Sequence, residues 1–415
     1  MKYSSLKPWS MWAIALLYFA YQFIMRLFPG LVIDEIMDKH QIDATAFGLW
    51  SSMYYFGYAG MQIPIAVLLD RYGPRRIITL CALLCSSGIL LFVKCTDWHL
   101  LLLARFMIGV GSAAGFLGVS KVISLVFPES QYAKMVGLTF SFGLTGAVFG
   151  GKPVSYFIEK YGWESVGLAV AAIGFLCAVL VWVTAKIPYA THQNQTDESV
   201  LTSLKKVVSS PSLIFLALAN LLMVGSLEGF ADVWGVNYLV KAFSLEKGDA
   251  AFAISCTFIG MLFGGPLLTA LSERISSYFV VCMSGIMSAL MFVLLLSRLP
   301  LLNYSLLCVL FFVVGILCCY QVLIFAMGSG FVSAEQKGIA VAFLNCVNMF
   351  GGSFFHLVIG SLLDWKWEGQ LVNDVKFYTV LDYTWALSAI PVCALIGGLM
   401  VLSVKVFKRS ALSKR

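Results

Sequence analysis

The chain has 415 residues, of which 60% are hydrophobic and only 12% charged, with a formal net charge of +7 and a mean hydropathy of +0.89. Soluble domains carry about 25% charged residues, and a single core does not grow to hide this much apolar surface. A water-soluble enzyme is therefore excluded, and a lipid bilayer has to serve as solvent. The positive charge is no nucleic-acid face, because the Lys and Arg residues sit in small clusters between apolar runs, where they set topology.

One membrane-crossing helix needs about 20 apolar residues. Runs of that kind fall at 9–32, 46–69, 77–95, 99–124, 135–158 and 165–186, and again at 212–238, 249–271, 278–297, 304–327, 338–363 and 380–404. The first run is too long for the apolar core of a signal peptide, and no small-residue cleavage site ends it. Between the two sets lies a polar stretch that includes Asp197, Glu198, Lys205 and Lys206, which reads as a linker. The expected organisation is an all-α membrane protein with twelve transmembrane helices in two pseudo-symmetric six-helix bundles, 1–186 and 211–415, joined by a cytoplasmic linker at 187–210. Counting Lys and Arg by side gives sixteen on the face that holds both termini, eight on the other and four inside runs. That bias puts both termini in the cytoplasm, and no terminal domain is expected.

The loop after the second run reads Asp70-Arg71-Tyr72-Gly73-Pro74-Arg75-Arg76, and its counterpart in the second half reads Ser272-Glu273-Arg274-Ile275. Acid followed by arginine after an apolar helix, repeated half a chain later, is the mark of paired bundles around a central site. The eleven cysteines lie in or beside apolar runs; Cys81 and Cys85 are a turn apart, Cys318 and Cys319 are adjacent, and no CxxC pair occurs. They read as small apolar fillers rather than disulfides or metal ligands, and no cofactor is expected. There is no Walker loop and no HExxH. Gly109-Val110-Gly111 has helical, apolar flanks and reads as helix packing.

Ala66-Val67-Leu68-Leu69-Asp70-Arg71-Tyr72-Gly73-Pro74-Arg75-Arg76 resembles the signature loop of the major facilitator superfamily, with Ala66 where that pattern has glycine. Arg105-Phe106-Met107-Ile108-Gly109-Val110-Gly111 is similar to the motif of the family's fourth helix. In the fifth, Gly143-Leu144-Thr145-Gly146-Ala147 is similar to the antiporter motif, with Ala147 in place of proline. The stretch from Tyr54 through Gln62 to Pro74, together with Arg26-Leu27-Phe28-Pro29 and Gly150-Gly151-Lys152-Pro153, resembles the proteobacterial intraphagosomal amino-acid transporters. The resemblance implies an alternating-access carrier in a bacterial inner membrane that imports amino acids or related nutrients with protons. It also implies a small-molecule substrate and a monomer.

Ionisable side chains inside a span are costly and mark functional candidates. Tyr18, Gln22 and Arg26 are spaced by four and share a helical face, and Arg26 suits a substrate carboxylate. Tyr54, Tyr58 and Gln62 make a like stripe on the second helix, suited to a small polar ligand or to packing. Arg105 is a candidate for coupling, Lys152 a deeper in-span cation and Lys121 a snorkelling one. In the seventh run Glu228 and Asp232 are two acids on one face, suited to holding a proton, binding an ammonium group or pairing with a cation. Asn345 and Asn348 in the eleventh run are candidate substrate contacts; His356, Tyr320 and Gln321 are weaker ones. Asp70, Arg71, Arg75, Glu273 and Arg274 form an expected cytoplasmic gate whose ion pairs close in one state. Competing readings are an exporter of a siderophore or drug, an importer of organic anions or nucleosides, a membrane enzyme and a nutrient sensor.

Overall fold

The structure is a computed structural model that describes residues 6–185, 202, 205–299, 302–333, 336–372 and 374–412. Most of the linker expected at 187–210, including Asp197 and Glu198, lies outside the described residues. Within them the chain is almost entirely helical, because hydrocarbon offers no partner for a backbone N–H or C=O and only helices satisfy those groups locally.

Among the described residues eleven helices are long and apolar enough to cross a membrane, from Pro8–Leu31 to Val380–Val404. The remaining expected span is the helix Ala44–Tyr72, whose 29 residues reach about 43 Å at 1.5 Å per residue. Its tyrosines, serines and glycines lower its mean hydropathy, so length rather than apolarity qualifies it. The fold is all-α, and with this helix the described residues hold twelve segments long enough to cross. A two-stranded antiparallel hairpin, Leu371–Val372 with Val375–Lys376, interrupts the last loop.

The chain forms two compact units, Met1–Val32 with Met53–Asn194 and Ile33–Ser52 with Gln195–Arg415. The short segment Ile33–Ser52 therefore packs with the second unit although it lies in the first half of the sequence.

The internal repeat is visible in construction details. Asp97 caps the helix Trp98–Ser112 by accepting from Leu100 N, and Asn303 caps Tyr304–Cys318 by accepting from Leu306 N. Such caps satisfy an amide that a helix start leaves orphaned. Both helices have 15 residues and break at one residue, Ala113 or Cys319, before resuming as Ala114–Val126 or Tyr320–Ser329. Their neighbours Ala44–Tyr72 and Lys247–Arg274 each carry an internal proline, Pro64 and Pro266. In the first unit the backbone of Gly57 lies against Phe106 O and that of Gly109 against Tyr54 O. In the second, Gly260 lies against Phe312 O and Gly315 against Thr257 O. Small residues that let backbones touch are what packs helices where lipid and core are equally apolar.

A side chain at Gly109 would collide with the Tyr54 carbonyl. Gly109→Val should therefore lower stability by about 1–3 kcal/mol. Gly137→Ala, inside the helix Glu129–Gly150 and where an added methyl meets nothing within 4 Å, should instead raise it by up to about 1 kcal/mol; thermal unfolding of both variants in detergent checks the pair.

Candidate functional site

Two polar clusters stand out inside the first unit and inside the second, and a third ties Ile33–Ser52 into the second unit. The first centres on Arg105. Burial leaves it 3% exposed, and its guanidinium donates to the carbonyls of Met25 at 2.9 Å and Arg26 at 3.2 Å. Its carbon lies 4.7 Å from the centre of the Tyr54 ring, a cation–π arrangement. The paired glycines explain the placement: Gly109, one turn beyond Arg105, rests on the Tyr54 carbonyl, so the two residues meet. Arg26 comes to the same aromatic wall, 5.6 Å from the Tyr55 ring and 5.9 Å from Phe23. Tyr54 stacks on Tyr58, their planes 21° apart, and meets Tyr55 edge-on. Two guanidinium groups and three tyrosines thus converge on one region of the unit.

The other members of the two stripes divide. Tyr18 turns its hydroxyl into the bundle, where it donates to Gly111 O at 2.8 Å and lies 3.5 Å from Cys85 Sγ, joining helices. Gln22 is buried with its side-chain oxygen against Gly115, and that oxygen has no hydrogen-bond partner among the described residues. Gln62 is buried as well. Lys152 is exposed and begins the helix Lys152–Tyr161 after a break at Gly151, so it is not held deep in the bundle.

In the second cluster, Glu228 and Asp232 are each 1% exposed. They lie on a ten-residue π-helix, Gly225–Trp234, a rare form that concentrates at functional sites. Gly225 and Gly229 on that segment lie against the Phe355 ring. Tyr320 donates to Asn220 O at 3.3 Å, and Glu228 is close enough to Tyr320 and Cys318 to act on both electrostatically. Asn348 Nδ2 donates to Gln321 Oε1 at 3.4 Å. Asn345 is only partly buried, one turn away. His356 is fully buried, and its carbonyl receives Gly48 at close range. Sequence reasoning missed Asn220, whose single polar letter in the apolar run 212–238 was the available signal.

The third cluster was also missed. Within the second unit, Asp34 accepts from Asn237 Nδ2 at 3.0 Å and lies 3.9 Å from Lys241, and Glu35 pairs with Lys247 at 2.6 Å. Lys376 bridges Asp43 at 3.2 Å and Asp364 at 2.9 Å. Asp364 further accepts from the Tyr378 hydroxyl at 2.5 Å and Thr45 N at 2.7 Å, and Ala44 N donates to Tyr378 at 3.0 Å. Partial burial lowers the pKa of Lys376, but Asp364 and Asp43 outweigh it and hold the ammonium above its usual 10.5. Burial and the bond to Asp364 likewise push the Tyr378 hydroxyl up. The Lys376 contribution is fully present below 10.5 and lost only as pH rises through the raised value. These ion pairs therefore persist through neutral pH.

The residues of the acid–arginine loops stand apart from these clusters. Asp70 pairs with Lys121 at 2.7 Å. Arg71 lies over the ring of its neighbour Tyr72, at 5.4 Å. Arg75 donates to Trp182 O at 2.7 Å and covers the Trp182 ring at 4.1 Å, which fastens two helices. Glu273 and Arg274 are exposed at the end of Lys247–Arg274. No group of three or more His, Cys, Asp or Glu that could hold a metal occurs among the described residues.

Residues 14–238 match the family model described as Major Facilitator Superfamily. The chain is 30% identical over 157 residues to the uncharacterized transporter YybO of Bacillus subtilis, covering 38% of this chain and 36% of that protein. It is 26% identical over 266 residues to the probable galactarate/D-glucarate transporter GudP of the same organism, covering 56% and 58%. The alignments thus span about a third to just over half of these relatives. The solved structure of the nucleoside transporter NupG superposes with a TM-score of 0.75 at 14% identity, over 97% of this chain and 99% of that one, a likeness of fold.

Arg105→Lys keeps the charge but not the fork that reaches two carbonyls. It should lower stability by about 2 kcal/mol, the scale of a lost charged hydrogen bond, and thermal unfolding of the purified variant reads this directly.

Proposed function

The chain belongs to the Major Facilitator Superfamily and is a multi-pass membrane transporter, and on that premise we propose that it imports a small carboxylate-bearing organic anion together with protons. The observation that carries this reading is the convergence of Arg26 and Arg105 on the tyrosines 54, 55 and 58. A guanidinium in a poorly hydrated, aromatic-walled region favours an anion and can bind a carboxylate through two parallel hydrogen bonds. Arg105 spends two donors on carbonyls and so positions the wall, while Arg26 is the substrate contact. The name of GudP, a probable galactarate/D-glucarate transporter, supports the same class. Amino-acid import, implied by the finer family resemblance, has no counterpart in the relatives named above and stands as a competing outcome.

In this reading Glu228 and Asp232, two acids buried on one short segment, carry the coupling proton. Two bundles in one chain suffice for alternating access, so the carrier works as a monomer in a bacterial inner membrane with both termini in the cytoplasm. The pairs among Asp34, Glu35, Asp43, Asp364 and Lys241, Lys247, Lys376 serve as a second gate. They hold Ile33–Ser52 in one state and release it in the other. The Asp70–Lys121 pair and the arginines 71, 75 and 274 with Glu273 belong to the cytoplasmic gate.

Uptake of labelled dicarboxylates, nucleosides and amino acids into proteoliposomes, with and without an inward proton gradient, tests the reading. Dicarboxylate uptake should rise with the gradient and fall about tenfold to a hundredfold in Arg26→Ala, the loss expected for a charged hydrogen bond. Uptake of amino acids alone, or extrusion of drugs from cells, would refute it. For the gate, Lys376→Ala removes the shared partner of Asp43 and Asp364. The amides of Ala44 and Thr45 should then exchange with deuterium about tenfold faster, measured by mass spectrometry of the intact transporter.

A further inference from the structure

The second unit contains a group of buried amides whose hydrogen-bonding capacity the protein does not use. Asn220 and Asn348 are each fully buried. Neither the nitrogen nor the oxygen of the Asn220 side chain has a hydrogen-bond partner among the described residues, and the same holds for Asn348 Oδ1 and Gln321 Nε2. The only bond within the set is the long one from Asn348 to Gln321, at 3.4 Å. A buried polar atom without a partner is a standing cost, and native structures keep few of them without a reason.

Their depths agree. Asn220 is nine residues into the helix that starts at Pro211, Asn348 eleven into the one that starts at Lys337, and Gln321 eight from the end at Ser329. Since spans alternate in direction, those three helix ends lie on one face of the membrane. At 1.5 Å per residue the three amides sit about 12–17 Å in, near the middle of a hydrocarbon core about 30 Å thick, the level at which carriers of this architecture hold substrate. Tyr320, bonded to Asn220 O, links the helix of Asn220 to that of Gln321.

The chemistry of the unused atoms selects a ligand group. The unused atoms comprise two donors, Asn220 Nδ2 and Gln321 Nε2, and two acceptors, Asn220 Oδ1 and Asn348 Oδ1. A carboxylate only accepts and an ammonium only donates, whereas a hydroxyl does both. We propose that Asn220, Gln321 and Asn348 recognise hydroxyl groups, so that the transported anion is a polyhydroxy acid rather than a plain dicarboxylate. This rests on the carboxylate reading of Arg26 and adds a second chemical feature to that substrate class. Hydroxyl recognition by a site that otherwise leaves its amides unpaired discriminates strongly against the deoxy analogue.

The test compares galactarate with adipate, two six-carbon dicarboxylates of equal charge, the first with four hydroxyls and the second with none. Binding is measured by thermal stabilisation of the purified full chain. Wild type should prefer galactarate by about tenfold or more. In Asn348→Ala, Gln321→Ala and Asn220→Leu that preference should shrink about threefold to tenfold per lost hydrogen bond. Asn220→Leu fills its own space, so it guards against loss of binding through misfolding. Equal binding of the two acids would overturn the inference while leaving the carboxylate reading intact. Binding of neither would overturn that reading and this one with it. Variants that are more stable yet keep the wild-type preference would also overturn it, since the amides would then be packing defects.

Discussion

Helices in a membrane gain nothing by exchanging lipid for one another's apolar side chains, so their contacts depend on how closely their backbones approach. Here that approach is made by glycines laid on carbonyl oxygens: Gly57 and Gly109 against Phe106 and Tyr54, and Gly260 and Gly315 against Phe312 and Thr257. A third pair, Gly48 against His356 O and Gly360 against Ala44 O, fastens the start of Ala44–Tyr72 within the second unit. Such contacts admit one register. Once Gly109 rests on Tyr54, the ring of Tyr54 has to lie beneath Arg105, and the cationic wall follows from packing.

The repeat then explains why the two units differ chemically. Asp97 and Asn303 cap equivalent helices, and counting from them, Phe311 takes the place of Arg105. Against Gly315 it is Thr257 that takes the place of Tyr54. Phe311 is buried and stacks on Phe230 of the π-helix at 5.7 Å, and Phe230 in turn meets Phe292 edge-on. Where one copy of the repeat holds a guanidinium on an aromatic ring, the other holds an aromatic cluster that braces the π-helix bearing Glu228 and Asp232. One scaffold thus carries cations in its first copy and acids with neutral amides in its second.

What the sequence made legible follows from the same physics. Twelve crossings could be read because lipid demands long apolar runs, and even Ala44–Tyr72 stood out by length and periodicity despite its polar letters. Arg26 stood out as an in-span cation, but the rings it approaches, Tyr55 and Phe23, lie off the stripes that the spacing by four picks out. The bonds of Arg105 were not legible, because its acceptors are backbone carbonyls and every residue has one. Tyr18 lay on the expected face but turned its hydroxyl to Gly111, a choice made by a neighbouring helix. The π-helix left no trace, since a shift from four- to five-residue hydrogen bonding does not alter composition. Lys152 looked deep because it interrupts an apolar run, but a break at Gly151 brings it out.

The charges of the third cluster were plain in the sequence, yet their partners lie between 12 and 333 residues apart, and no periodicity connects such positions. Their chemistry keeps them charged. Lys376 is held above its usual 10.5 by two carboxylates, so its side of the cluster keeps its charge throughout the neutral range. Glu228 and Asp232 differ from Lys376 in being almost wholly buried on one short segment. Phe230, itself on that π-helix, packs on Phe292 and Phe311, and the Phe355 ring lies against Gly225 and Gly229, so polar groups on this segment are surrounded by packed side chains, where electrostatic interactions are stronger than in water.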